Sequence, residues 1–159
     1  MKRPERTLRQ LVQWRQELER EALAALAAVQ NRLARQQRQL QDLRDWRRGY
    51  LRQESARDPR QRLLAVELTR SRAFLASLEV GLQQQQGAIE RSGEELEHCR
   101  ARWVSARAEL RVAQTLLERR LREQRKRTLQ RERLQRDEFA AVGRVVAARG
   151  ARGPGEDWA

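Results

Sequence analysis

A search for reactive side chains begins with the two scarcest, His98 and Cys99, each present once in 159 residues. Adjacent residues on a helix point in different directions, so the pair cannot converge on one substrate or metal ion. One cysteine excludes an internal disulfide, and one histidine with one cysteine falls short of a conventional zinc site. No glycine-rich phosphate loop and no His-Glu metal pairing of the zinc-protease kind occurs. Cys99 falls on a heptad seam and is expected to be a packed, inert thiol, while His98 is expected on a polar, solvated face. The residues that could act chemically are therefore the basic ones. Arg119 to Arg136 holds nine Lys or Arg against two acids, Glu123 and Glu132, and so carries more than half of the formal net charge of +13. A run of this kind suits either neutralisation of nucleic-acid phosphates or docking into an acidic protein surface, or it only keeps a helix solvated. Aromatic interleaving and a basic-region zipper are both missing, which argues against nucleic acid.

The elements that must carry these residues are long helices. Charged residues make up 36% of the chain and aromatics 4%, with eight glycines and three prolines. That is too little bulky apolar material for a globular core and too little turn chemistry for a sheet. Only two of the basic residues are lysines, Lys2 and Lys126. The longest apolar run, Ala22 to Val29, is far shorter than the roughly 18 to 20 residues a membrane span requires. MKRPERTLRQL lacks the apolar stretch and cleavage site of a secretory signal. A cytoplasmic location is expected.

Leu8, Leu11, Leu18, Ala22, Leu26, Val29, Leu33, Leu40, Leu43 and Tyr50 recur at spacings of three, four or seven, which predicts an amphipathic helix over about 5–54. Two successive steps of four, from Leu18 through Ala22 to Leu26, predict a local change of supercoil. A turn is expected over about 55–58, with Asp58 as N-cap and Pro59 in the first turn of a second helix over about 59–148. Leu68, Leu75, Leu82, Ile89, Leu96, Trp103, Leu110 and Leu117 then recur every seven residues without a miss, the signature of a coiled coil. Ser71, Leu78, Gln85, Ser92, Cys99, Ala106 and Ala113 form the alternate seam, mostly small or polar, which permits close backbone approach. Gly81, Gly87 and Gly93 each cost about 1 kcal/mol relative to alanine and mark the softest stretch.

The fold expected is all-α, two long helices in one antiparallel coiled-coil hairpin over 1–148, with the C-terminal end of the longer helix projecting. At 1.5 Å per residue the helices span roughly 75 and 135 Å, so a tight hairpin would bring the first helix to its end near residue 109. The seam fails after Leu117, where Gln124 and Arg131 occupy the next heptad positions. The tail over 149–159, rich in glycine, is expected to be disordered. Trp46, Tyr50 and Phe74, three of seven aromatics, gather near the turn with Leu43 and Leu78, and Trp46 flanks the seam either as an anchor suited to a partner or as a ring packed over the neighbouring helix or loop.

Taken in order, LQDLRDWRRGY, FLASLE, a seam tryptophan followed shortly by ARAEL, and RERLQRDEFA with its Asp137, Glu138 and Phe139 resemble FliJ, a small coiled-coil component of the bacterial flagellar type III export apparatus. The resemblance covers about residues 8 to 145. It implies a non-enzymatic stalk without a cofactor, whose free helix ends enter the hexameric, FliI-like export ATPase ring and promote its assembly. It also implies a link to the membrane export gate protein FlhA, peripheral placement at the inner membrane through the apparatus, and association with export chaperones. Positions matching the gate-contacting surface are Gln39, Leu43, Trp46, Tyr50, Phe74 and Leu78; at Gly81 and Gln85 the pattern is not kept. On this reading the ring contacts fall to Arg119, Arg120, Arg122, Arg125, Lys126, Arg127, Arg131 and Arg133. The injectisome stalks of YscO type have a similar shape and stand as an alternative system, and a basic coiled-coil nucleic-acid binder as an alternative class.

Overall fold

The computed structural model describes residues 3–57 and 64–153. They form two helices, α1 (Arg3–Ser55) and α2 (Ala65–Ala151), and the described residues contain no strand. The only proline inside either helix is Pro4, in the first turn of α1, where a missing N–H costs nothing. Both ends of each helix carry charges suited to the helix dipole: Glu5 and Arg52 on α1, Glu67 and Arg149 on α2. Ala56 N–H donates to the Arg52 carbonyl at 3.0 Å as α1 closes, and the Leu64 carbonyl accepts from Glu67 N–H at 2.9 Å as α2 opens. The Asp58 cap and a helix start at Pro59 lie outside the described residues, and Leu64 precedes the first helical residue. At the other end α2 continues through Arg149 to Ala151, where a disordered tail is expected from sequence; residues 154–159 lie outside the described residues.

Trp14–Leu110 make one compact unit, and Met1–Gln13 with Arg111–Ala159 make the other. Within the first, the partners across the two helices run in opposite directions along the chain: Tyr50 with Ser71, Gln39 with Gln85, Arg32 with Glu95, Glu19 with Trp103, and Arg15 with Glu109. This is the antiparallel helical hairpin. It also corrects the length estimate. Arg15 is already paired with Glu109, so twelve helical residues of α1 precede that level instead of α1 ending near it. The estimate assumed a tight turn near residue 56, whereas α1 and α2 are separated by the nine residues between Ser55 and Ala65.

Both helices use the seams predicted from spacing, but they share the burial unevenly. On α2 the mostly small seam is the more deeply covered: Leu78, Ser92, Cys99 and Ala113 are buried, Ala113 to 2% exposure. Of the bulky heptad only Leu82 is buried, Leu68 is exposed, and the others are half-covered. Two of the smallest seam side chains, Ser92 and Ala113, are covered most completely, whereas most of the large ones on α2 keep one edge in solvent. Leu26 and Val29 of α1 pack with Cys99, flanked by Leu96 and Trp103. Each fully covered aliphatic side chain contributes about 1.5–3 kcal/mol. The exposed cross-helix ion pairs Arg32–Glu95 and Arg47–Glu79 add little energy but agree with the register.

Trp103 closes this core with its indole N–H, which donates to Glu19 at 2.9 Å across the hairpin, while Arg107 lies 5.3 Å from its ring centroid. Trp103→Phe removes the donor together with the five-membered ring of the indole. Chemical denaturation is expected to show a loss of at least about 1 kcal/mol, and a loss near zero would mean that neither the bond nor the lost ring area supports the hairpin.

Helix α2 passes unbroken through Gly81, Gly87 and Gly93, none of which has a positive φ. A Cβ at Gly81 or Gly93 would meet nothing within 4 Å. Gly81→Ala and Gly93→Ala are therefore expected to stabilise the hairpin by about 0.8–1 kcal/mol each, read as a higher denaturation midpoint. An unchanged or lower midpoint would show that these glycines answer a need of the folded backbone.

In the second unit Ala113 and Glu5 are buried, and Glu5 is paired with Arg9 at 2.8 Å. Partial cover extends along α2 to Gln124. From Arg125 to Ala151 every residue is exposed, including Phe139 at 79%.

Candidate partner-binding surfaces

In the hairpin unit, four turns of α1 and the facing part of α2 build one mixed surface. Steps of three and four bring Gln39, Leu43 and Trp46 onto the same face of α1. With Asp42 and with Gln85 from α2 they line a shallow groove of about 370 Å³. Trp46 stands beside it, 69% exposed. Its indole makes no hydrogen bond among the described residues and offers a large apolar face with a polar edge.

Nearer the turn, Tyr50 and Phe74 meet across the hairpin with ring centroids 4.9 Å apart and planes tilted by 48°. The Tyr50 hydroxyl and the Ser71 hydroxyl are 2.6 Å apart, which fixes the tyrosine while Phe74 remains 45% exposed. Tyr50 thus holds Phe74 in place. Leu78, the sixth residue of the predicted set, is 8% exposed and lies in the seam beneath this surface. It can shape the surface from below without touching a partner.

Asp42 and Gln85 belong to the groove, although the spacing argument singles out neither as a contact. The signal for Gln85 is its place on a seam, where a long amide is unusual. Its side chain is turned toward α1: Nε2 lies 2.9 Å from the Gln36 carbonyl and 3.2 Å from Gln39 Oε1. Among the described residues the neighbouring Gln36 Oε1 has no hydrogen-bond partner.

The second surface is the basic part of α2. Arg120 and Arg122 lie 3.7 Å from Glu123 and Glu118 respectively, and Arg120 Nε is buried with no hydrogen-bond partner among the described residues. Among the described residues no carboxylate pairs with Arg119, Arg125, Lys126, Arg127, Arg131 or Arg133. All six are exposed. Successive residues turn by about 100°, so Arg125, Lys126 and Arg127 surround the helix instead of forming one stripe. Leu121, Gln124, Arg125, Thr128 and Leu129 line a shallow groove on the same segment. Beyond it Phe139, Val142, Val145 and Val146 are exposed, an apolar end whose extent a failing heptad does not reveal.

His98 is exposed and Cys99 buried. No group of three or more His, Cys, Asp or Glu among the described residues could hold a metal ion.

A family model described as Flagellar FliJ protein matches residues 4–145. The chain belongs to the FliJ family. It is therefore associated with flagellar type III export, and FliJ proteins are non-enzymatic components of that apparatus. No curated protein and no solved structure matches the chain. No described helix is long and apolar enough to cross a membrane. The hairpin unit presents aromatic and amide groups, and α2 presents guanidinium groups.

Proposed function

We propose that this FliJ-family chain is a cytoplasmic stalk that couples the flagellar export ATPase to the export gate. The single observation that carries the proposal is the presence of two exposed surfaces of opposite chemical character on one pair of helices. The hairpin unit offers Trp46 at the Gln39–Leu43 groove and Phe74 nearer the turn, suited to a protein surface with apolar pockets such as FlhA. The other unit offers a helix encircled by Arg125, Lys126 and Arg127, suited to a channel with acidic subunits around it such as a FliI-like hexamer. Charge-assisted hydrogen bonds from guanidinium groups to several subunits at once would favour the assembled ring over separate subunits. Gln39, Leu43, Trp46, Tyr50 and Phe74 form the gate surface, with Leu78 supporting it. Arg119, Arg120, Arg122, Arg125, Lys126, Arg127, Arg131 and Arg133 form the ring surface. Export chaperones are further partners, and membrane association is peripheral, through the apparatus.

The test is ATP hydrolysis by the cognate flagellar export ATPase at near-physiological salt, with and without this protein. Stimulation together with ring formation supports the stalk. Neither stimulation nor co-sedimentation with the ring would sink it.

A further inference from the structure

The amide at Gln85 is spent inside the molecule. It occupies a seam position of α2, is half-buried, and directs Nε2 to the Gln36 carbonyl at 2.9 Å and to Gln39 Oε1 at 3.2 Å. Gln36 O is a main-chain acceptor in mid-helix, so one end of the bridge is fixed to the α1 backbone. The other end is the exposed side chain of Gln39. An exposed glutamine ordinarily samples many rotamers, and ordering it on binding lowers affinity. Here its oxygen is held before any partner arrives, which leaves its Nε2 hydrogens as the donors it can offer in the groove that Leu43 and Trp46 also line.

We infer that Gln85 is a positioning residue for the gate surface: it acts through Gln39, presetting a hydrogen-bond donor next to the Trp46 groove for an acceptor on the partner. The inference rests on the assignment of this surface to the gate. A half-buried amide on a seam contributes less apolar burial to the hairpin than a leucine would there. Stability and binding therefore pull in opposite directions at this one position, and that separates positioning from a merely structural role.

The experiment measures affinity of the full chain for full-length FlhA of the same cell in nanodiscs, alongside thermal denaturation of each variant. Gln85→Leu is expected to hold or raise the denaturation midpoint and to weaken binding about fivefold, the effect of one preset hydrogen bond. Gln85→Lys, whose ammonium reaches the same two acceptors as a donor, is expected to restore most of the affinity. In a Gln39→Ala background Gln85→Leu is expected to cost nothing further, because the residue through which it acts is gone. Trp46→Ala is the control for the surface itself. Should Trp46→Ala weaken binding while Gln85→Leu does not, or should Gln85→Leu cost the same with and without Gln39, positioning is overturned and the gate surface stands. If Trp46→Ala leaves affinity intact, the gate assignment falls and the inference with it.

Discussion

Trp46→Ala is expected to weaken binding to FlhA by about 30-fold while leaving the hairpin as stable as before. An indole that is 69% exposed in the free protein supports no packing whose loss would unfold the helices. When buried in a partner's pocket it belongs to the residue class that most often dominates an interface, worth about 2 kcal/mol or more on truncation. Phe74→Ala is expected to act in the same direction with a different signature. It removes the ring 4.9 Å from Tyr50, so it also lowers hairpin stability by about 0.5–1.5 kcal/mol. Affinity by calorimetry and stability by denaturation, measured on both variants, distinguish the two. Affinity unchanged in both would show that the groove between Gln39 and Trp46 is not the gate surface.

Reversing Arg125 and Arg127 to glutamate is expected to reduce ATPase stimulation by more than about tenfold, with helix content unchanged. Neither side chain pairs with a carboxylate among the described residues, and both are exposed, so the hairpin loses nothing when they change. The loss falls on the partner. Two attractive contacts become repulsive, and like charges opposed at an interface cost several kcal/mol. Stimulation by the unaltered chain is expected to decline as salt rises, because exposed charges are screened over about 8 Å at physiological ionic strength. Full stimulation by the double variant would move the ring contact away from this segment, with the exposed apolar end at Phe139 and Val142 the next place to test.

Much of the fold was legible from spacing. Eight heptad hits from Leu68 to Leu117 and the recurrence from Leu8 to Tyr50 place two helices and their facing seams. The reason is geometric: a period near 3.5 leaves an apolar line that only another helix can cover. The aromatic set Trp46, Tyr50 and Phe74 was legible for a related reason, since large rings are scarce in a solvated rod and fall together once a hairpin is assumed. The basic collar from Arg119 to Arg133 is visible in any reading of charge. The ordered motifs from LQDLRDWRRGY to RERLQRDEFA pointed to the family that the match over 4–145 establishes.

The remainder depended on how the two helices meet. Heptad positions do not state how many residues the connection uses, so the level of Arg15 with Glu109 could not be counted from sequence. Nor does a heptad rank its own seams. Ala113 and Ser92 are more deeply buried than Leu75 or Leu96, because closest approach selects for small volume and not for hydrophobicity. Spacing places Leu78 on the seam while the resemblance counts it with the contact surface, and the pair of helices buries it. Gln85 reads as a lapse in the seam and is tied to Gln36 and Gln39. Periodicity, charge and composition are properties of one helix at a time, and they sufficed for the fold class, the seams and the basic end. Register, burial and the orientation of Trp46, Gln39 and Gln85 are properties of the pair, and only packing two specific surfaces against each other decides them.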